Sequence, residues 1–190
     1  MSERNDIMAY VLAGGKSSRM GQDKGLMMFR GKPMIQFVLD ELSKLHLEVK
    51  IIANSDAYNA LGYEVIKDIV AEKGPMGGIL TALNDCQTAY ALVLSCDTPL
   101  LPAAIIKHLI SAMNDDITVA QTSTQIHPLC AIYKTTLKQK IKQHIENTQL
   151  KMQDLIGEVR SKAVNMDTFM EQYAEAFVNM NTPKDVELFK

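Results

Sequence analysis

The sequence is poor in the residues that build disulfide-rich and aromatic-rich proteins. It has no tryptophan, aromatic residues make up 6% of its 190 residues, and its three cysteines are Cys86, Cys96 and Cys130. Because these cysteines are odd in number, widely spaced and without a CxxC pair, they argue against a disulfide framework or a structural zinc site. Such cysteine usage favours a reducing compartment, and we therefore expect a cytoplasmic protein.

Long apolar runs are absent as well. No stretch approaches the roughly 20 apolar residues that a helix needs to cross a bilayer. The first residues mix both charge signs before a short apolar run, whereas a secretory signal has a cationic start and a longer apolar core. We expect neither a targeting segment nor a membrane partner.

An excess of positive charge is the third missing feature. Lys and Arg together number 20 and Asp and Glu 22, so the formal net charge is −2. A chain with this balance lacks the positive field that sequence-independent nucleic-acid binding uses, and we expect no nucleic-acid partner. The hydrophobic fraction of 47% and the charged fraction of 22% are ordinary for a globular protein. The length predicts a single domain over residues 1–190.

Short apolar runs alternate with segments of helical periodicity along the chain. Residues 7–13 form a continuous apolar run closed by two glycines, which is typical of a strand buried on both faces. Further strands are predicted at 47–53, 63–66, 91–94, 117–120, 129–133, 163–166 and 176–180. Helices are predicted from Pro33 onward and at 76–84, 102–113, 135–145, 151–156 and from Pro183, with Thr182 as its cap. The alternation predicts an α/β fold with a mostly parallel central sheet.

Polar residues and glycines follow four of the predicted strands. They are Gly14-Gly15 after the first, Asn54 after the second, Asp68 after the third and Asp97 after the strand at 91–94. In open α/β sheets ligands bind beyond the carboxyl ends of the strands. We therefore expect these residues to point toward one edge of the sheet.

The segment after the first strand, 16–30, is predicted to be a loop, and its beginning has the character of a phosphate loop. The Walker A pattern fails because its first glycine would fall at Tyr10, inside the strand, and the adjacent glycines do not fit GxGxxG. Adjacent glycines do let main-chain N–H groups approach phosphate oxygens, and Arg19 and Lys24 add positive charge. The alternative is a glycine-rich turn with solvated lysines.

Residues 12–24 read Leu-Ala-Gly-Gly-Lys-Ser-Ser-Arg-Met-Gly-Gln-Asp-Lys. This run resembles the signature LAGGxSxRMGxDK of nucleotidyltransferases, and within that superfamily it is most similar to the molybdenum cofactor guanylyltransferases. Other segments that resemble family motifs are Asn54-Ser55, the strand 65–68, the turn 74–78, the segment 95–99 and the segment 177–183. Met76 in place of the usual Leu is a mild departure. The resemblance implies a three-layer, Rossmann-like nucleotidyltransferase fold.

The resemblance also implies an activity. The chain would transfer GMP from GTP to the molybdopterin form of molybdenum cofactor, releasing pyrophosphate and forming a guanine dinucleotide cofactor. Mg²⁺ is the implied cofactor, and apoenzymes that receive the product are further implied partners. The implied nucleotide contacts are Leu12, Ala13, Gly14, Gly15, Lys24, Asn54, Asp68 and Asp97. Arg19, Lys24 and Asp97 carry the catalytic roles, Asp97 holds the metal, and Asn179 and Asn181 bind the acceptor.

Each of these residues also has a purely structural interpretation. Asp97 could cap the turn before Pro99, and Asp68 could merely solvate a loop. The asparagines could be turn formers, since Asn tolerates left-handed backbone. His127 is interpreted as a structural residue. Cys96 has no base in reach by sequence, and we do not expect it to be a nucleophile.

Two other functions fit much of the same sequence. One is transfer of a different nucleotide or to a different acceptor, such as cytidylyl transfer or transfer to a sugar phosphate. The other is a non-catalytic protein that binds nucleotide and delivers cofactor. The Asp23-Lys24 pair and the Asn-x-Asn-Thr-Pro segment favour guanylyl transfer, and the complete set of charged residues argues against lost catalysis.

Overall fold

A computed structural model describes residues 6–13, 23–70 and 72–189. Its strands are β1 (Ile7–Leu12), β2 (Met28–Phe29), β3 (Lys32–Pro33), β4 (Val49–Ile52), β5 (Glu64–Ile66), β6 (Tyr90–Ser95), β7 (Ile117–Gln121), β8 (Ile126–Lys134) and β9 (Ser161–Asn165). Its helices are α1 (Met34–Ser43), α2 (Gly74–Asp85), α3 (Ala103–Ser111), α4 (Lys138–Glu146), α5 (Met152–Glu158), α6 (Asp167–Met170) and α7 (Pro183–Leu188). Short 3₁₀ helices cover Lys24–Leu26, Asp56–Leu61 and Thr135–Leu137.

Seven strands form the central sheet in the order β5-β4-β1-β6-β8-β7-β9. Neighbouring strands are parallel except where β8 pairs antiparallel with β6 and β7. The prediction of a mostly parallel sheet is confirmed. Strands β2 and β3 form a separate two-stranded hairpin.

The central strand β1 shows why the sheet is covered on both faces. Its alternate residues point to opposite faces, as the two-residue period of a strand requires. Ile7, Ala9 and Val11 pack with α1 and α3, whereas Met8 and Tyr10 pack with α2, α4 and α5. All six residues of the strand are buried. The result is the predicted three-layer arrangement, with helices on each side of the sheet.

The predicted strand at 176–180 is wrong. Its backbone forms turns instead, because the N–H of Ala176 donates to Tyr173 and that of Val178 to Glu175. Apolar side chains caused the error: Ala176, Phe177 and Met180 are buried, although their backbone joins no ladder. Burial without strand pairing leaves the same sequence signal as a short buried strand.

Two predicted boundaries near the chain's turns also change. The predicted loop at 16–30 contains, in its described part, the 3₁₀ helix at Lys24–Leu26 and strand β2. Pro33 caps α1 and ends β3, so the helix begins at Met34. At the last helix the predictions hold, since Thr182 caps α7 in a capping box and Pro183 occupies its first turn.

All three cysteines are buried and free. In the part of the chain that the structure describes, no helix combines the length and the apolar character required to traverse a lipid bilayer.

Close packing of α2 depends on two adjacent glycines in its first turns. A Cβ on Gly77 would lie 2.9 Å from the carbonyl oxygen of Val70, and one on Gly78 would lie 3.0 Å from a methyl carbon of Leu12. Because neither glycine has a side chain, α2 lies directly against the end of β1 and against the segment that follows β5. Both segments contribute to the candidate site described below.

Replacing Gly77 by Ala should destabilise the protein by about 1–3 kcal/mol, because the added methyl group meets backbone that cannot rotate away. Gly157→Ala is the matched control, since nothing lies within 4 Å of its Cβ position in α5 and the change raises helix propensity by up to about 1 kcal/mol. Urea unfolding of both variants checks this. Equal stability of G77A and the parent chain would contradict the packing argument.

Candidate active site

Four parallel strands, β5, β4, β1 and β6, end at one level, and this places the predicted polar residues together. The N–H of Ala13 donates to Ile52 O over 2.9 Å, and the N–H of Cys96 donates to Leu12 O over 3.1 Å. The N–H of Ala53 donates to Ile66 O over 3.0 Å. The residues that follow these strands therefore lie at the same edge of the sheet, as the sequence predicted.

The loops after β4 and β5 are joined by a direct contact. The Asp68 N–H donates to the side-chain oxygen of Asn54 over 3.1 Å, and this contact does not use the side-chain NH₂ group of Asn54. Asn54 is exposed and Asp68 is partly buried. The two residues that the sequence singled out after neighbouring strands thus form one unit, joined by the Asn54 side chain and the Asp68 main chain.

Thr81 on α2 supports this unit from beneath, and sequence reasoning missed it. Its hydroxyl oxygen accepts the N–H of Ile69 over 3.1 Å and lies 3.3 Å from an oxygen of the Asp68 carboxylate. It is also 3.0 Å from Gly77 O, so its single proton is shared between two acceptors. Thr81 is buried among apolar helix residues, and nothing in its spacing marks it as polar support.

Burial raises the pKa of the Asp68 carboxyl, and the hydrogen bond from Thr81 opposes this by lowering it. A carboxylate is costly to bury, whereas a hydrogen bond to its charged form offsets part of that cost. Asp68 is therefore a carboxylate at the sheet edge that accepts a hydrogen bond from the Thr81 hydroxyl.

Lys24 contacts the C-terminal segment. Its ammonium group donates to the side-chain oxygen of Asn181 over 2.7 Å. Asp185 accepts the N–H groups of Asn181 and Thr182 over 2.9 and 2.7 Å. The hydrogen bond from the Thr182 N–H is the main cause that lowers the pKa of the Asp185 carboxyl. The cap of α7 thereby fixes the asparagine that Lys24 touches.

The same C-terminal segment is anchored to the strand that carries Asp97. The N–H of Met180 donates to the Asp97 carbonyl over 2.8 Å. The Met180 side chain is buried with Phe29, Met34 and Val186 in a small apolar cluster beside the hairpin. Met180 and Asn181 are neighbours in the chain, so their contacts connect Asp97 and Lys24 through one short segment.

A cavity of about 270 Å³ opens beside Asp97. Side chains from β6, β8, α5 and the C-terminal segment line it, among them Asp97, Gln125, His127, Gln153, Phe177 and Asn179. Three of these carry a carboxamide, which can both donate and accept hydrogen bonds. The cavity thus combines one carboxylate with neutral polar groups and an aromatic wall.

His127 forms part of that wall, whereas the sequence favoured a purely structural role for it. Its ring stacks on Phe177 with centroids 4.2 Å apart and an angle of 26° between the planes. Its Nε2 lies 3.1 Å from the Thr122 hydroxyl. Burial lowers the pKa of His127, so the ring is neutral at pH 7 and presents an uncharged, flat surface.

Cys96 lies directly before Asp97 and is buried. Burial is the main cause that raises the pKa of its thiol well above the usual range, with the negative charges of Asp97 and Asp23 adding to the effect. Lys24 opposes it. The thiol stays protonated, in line with the expectation that it is not a nucleophile. The charges of Asp23, Lys24 and Asp97 thus all act on this thiol.

The donor set near Asp97 fits a hard cation that brings most of its ligands with it. Among the residues that the structure describes, no group of three or more His, Cys, Asp or Glu side chains is arranged to hold a metal ion. Mg²⁺ is commonly bound by one or two carboxylates together with substrate phosphates and water. Asp97 supplies such a carboxylate at a cavity mouth, so the residues fit a metal that arrives with a phosphate chain.

Three of the predicted site residues, Gly14, Gly15 and Arg19, lie outside the described residues. The described ones form two neighbouring groups at one sheet edge: Leu12, Ala13, Asn54 and Asp68 on one side, and Lys24, Asp97, Asn179 and Asn181 on the other. Leu12 and Ala13 are buried at the end of β1. Asn54, Asn179 and Asn181 are exposed.

Fold and site together define a nucleotidyltransferase. Residues 9–163 match the family described as MobA-like NTP transferase domain, and the chain belongs to this family. It is 39% identical over 163 residues to a "Probable molybdenum cofactor guanylyltransferase" of Flavobacterium johnsoniae, covering 85% of this chain and 86% of that protein. It is 34% identical to a "Molybdenum cofactor guanylyltransferase" of Histophilus somni, covering 97% and 96% of the two chains.

The fold is shared with a solved structure as well. The molybdopterin-guanine dinucleotide biosynthesis protein A of Archaeoglobus fulgidus superposes with a TM-score of 0.80 at 21% identity, over 96% of each chain. The three-layer nucleotidyltransferase fold expected from the sequence is confirmed.

Replacing Thr81 by Val should raise the pKa of Asp68 further, because the hydrogen bond that lowers it is lost. The free energy of unfolding should fall by about 1–2 kcal/mol, since the Ile69 N–H loses its acceptor. The deficit should grow as pH rises through the pKa of Asp68, because a raised folded-state pKa costs stability above it.

Thr81→Ser is the matched control, because it keeps the hydroxyl group. The measurements are an NMR titration of the Asp68 carboxyl and urea unfolding at several pH values. An Asp68 pKa that is the same in T81V, T81S and the parent chain would refute the support assigned to Thr81.

Proposed function

We propose that this chain transfers GMP from GTP to the terminal phosphate of molybdenum cofactor, releasing pyrophosphate and forming the molybdopterin guanine dinucleotide. The observation that carries the proposal is the convergence of Lys24, Asp97 and Asn181 through one C-terminal segment, at the sheet edge where Asn54 and Asp68 also lie. The names of the relatives point to the same reaction.

The nucleotide lies, in this proposal, along the ends of β1, β4 and β5. Main-chain groups at Leu12, Ala13, Gly14 and Gly15 line the phosphate chain, and Arg19 and Lys24 neutralise its charge. Asn54 and Asp68 contact the nucleoside. Support comes from their shared position, because a hydrogen bond joins Asn54 and Asp68 at the sheet edge where ligands of such folds bind.

The acceptor occupies the cavity beside Asp97. Carboxamides of Gln125, Gln153 and Asn179 suit a pterin ring, which has donors and acceptors on its edges. The flat His127–Phe177 pair offers a surface on which such a ring can stack. Asp97, the proposed metal ligand, lines this cavity, so an acceptor bound there would lie beside the group that holds the metal and the phosphates.

No protein nucleophile is needed for this reaction. An oxygen of the acceptor phosphate forms the new bond to the α-phosphorus of GTP, and the bond from that phosphorus to the bridging oxygen of pyrophosphate breaks. The protein aligns the two phosphates and neutralises their charge. Lys24 acts on the triphosphate, and its contact with Asn181 sets the direction of its ammonium group.

Asp97 would hold Mg²⁺, which when bound supplies positive charge at the phosphate oxygens. The carboxylate is the hard oxygen ligand that this ion prefers, and the rest of its coordination would come from phosphate and water. The product would pass to apoenzymes that use the dinucleotide cofactor. A cytoplasmic site of action accords with three unpaired cysteines.

The test is pyrophosphate release with each of the four nucleoside triphosphates, with and without molybdopterin. Release with GTP only, and only when molybdopterin is present, is the expected result. Preference for CTP would establish cytidylyl transfer. A parallel series with sugar phosphates in place of molybdopterin tests the other acceptor, and release of pyrophosphate there would establish transfer to a sugar phosphate. Nucleotide binding without any release would establish the non-catalytic delivery protein.

Asp97→Asn should lower turnover by at least about 100-fold. A neutral amide is a poor ligand for Mg²⁺, and without the bound ion the charge of the phosphates is not offset. The control is Asp115→Asn, which removes a carboxylate paired with Arg160 over 3.0 Å near the start of β7, at the opposite edge of the sheet. Steady-state pyrophosphate release measures both. Turnover of D97N within a few-fold of the parent chain would refute the role of Asp97.

A further inference from the structure

Tyr58 is a buried side chain that the proposed reaction does not use directly. It lies in the 3₁₀ helix Asp56–Leu61 that follows β4, and its relative exposure is 0%. Its hydroxyl group reaches two acceptors that are distant in sequence. One is the carbonyl oxygen of Ala13, at 3.1 Å, and the other is a carboxylate oxygen of Asp23.

These two acceptors flank the glycine-rich segment in the sequence. Ala13 is the residue after β1, and Asp23 caps the 3₁₀ helix that begins with Lys24. One phenolic proton serves both acceptors, so the oxygen of Tyr58 lies between them. The hydroxyl therefore sets how far the end of β1 lies from the start of the helix that carries Lys24.

The packing around Gly25 shows how close this approach is. A Cβ on Gly25 would lie 2.5 Å from the Tyr58 hydroxyl oxygen, so only glycine fits there without displacement. The N–H of Gly25 also donates to the Asp23 carboxylate over 3.4 Å. The helix start at Lys24 is thus held against Tyr58 by both its cap and its backbone.

We propose that Tyr58 is a positioning residue for nucleotidyl transfer. By joining Asp23 to the carbonyl of Ala13, it holds the Lys24 ammonium group at a set distance from the main chain that lines the phosphate site. The inference rests on the proposed function, because it concerns the same site. A buried core tyrosine without this role would affect stability alone.

The protein contains a matched tyrosine for comparison. Tyr10 is also fully buried, and its hydroxyl donates to the Asp85 carboxylate over 2.7 Å at the far end of α2. Both hydroxyls remain protonated near neutral pH, because burial raises the pKa of each tyrosine well above its usual range. Tyr58→Phe and Tyr10→Phe each remove one hydroxyl from a partly buried carboxylate contact and keep the ring.

The experiment compares both variants with the parent chain in affinity for GTP with Mg²⁺ and in kcat and KM for pyrophosphate release. Y58F should lower kcat/KM for GTP by up to about 100-fold, since a displacement of about 1 Å in a charged group has effects of this size. It should lower kcat as well as weaken GTP binding. Y10F should lose a similar amount of stability and keep the parent kinetics.

Asp23→Asn and the double variant Y58F/D23N extend the test. If Tyr58 acts through Asp23, the double variant should be no slower than the worse single variant, because both changes break one connection. Multiplication of the two effects would overturn the proposal, as would parent-like kinetics of Y58F. D23N alone tests the same connection if Y58F fails to fold.

Failure of the proposed function gives a different result. If the parent chain binds nucleotide and releases no pyrophosphate with molybdopterin, the reaction assigned above is wrong. The ratio of nucleotide affinities of Y58F and Y10F then still decides the role of Tyr58. Weaker binding by Y58F alone supports positioning, and equal binding by both variants overturns it.

Discussion

The hydrogen bond from the Met180 N–H to the Asp97 carbonyl is the interaction on which the candidate site depends. It fastens the C-terminal segment to the end of β6, while the Met180 side chain is buried beside the hairpin that follows Lys24. Asn179 and Asn181 flank this anchor. Without it, the cavity beside Asp97 would lose the wall formed by Phe177 and Asn179, and Lys24 would lose its partner Asn181, which lies 157 positions away in the sequence.

Parallel strand pairing supplies the second constraint. Because β5, β4, β1 and β6 run in one direction and end at one level, the residues that follow them meet at a single edge. Helix α2 then supports that edge. Its glycines allow close contact with β1, and Thr81 reaches the Asn54–Asp68 unit from below. Core packing and site geometry therefore share the same helix.

The sequence predicts those parts of the fold that have strong local signals. Buried strands closed by glycine or by a polar residue were located correctly, as at β1, β4 and β6. The predicted strand at 176–180 was wrong, because apolar residues that anchor a turn are as hydrophobic as those that pair in a sheet. Thr81 and Tyr58 were missed because their partners lie 12 to 45 positions away.

By itself, the sequence determined the fold class and the sheet edge at which the polar residues after the strands lie, since strand periodicity and the order of elements are local properties. The other candidate residues came from the resemblance of its motifs to those of nucleotidyltransferases. Only the tertiary structure decided which of those residues touch. The decisive contacts join chain segments that are distant in sequence. They are those of Lys24 with Asn181, of Asp97 with Met180, and of Tyr58 with Ala13 and Asp23. Such contacts depend on the relative placement of helices and loops, which no local pattern encodes.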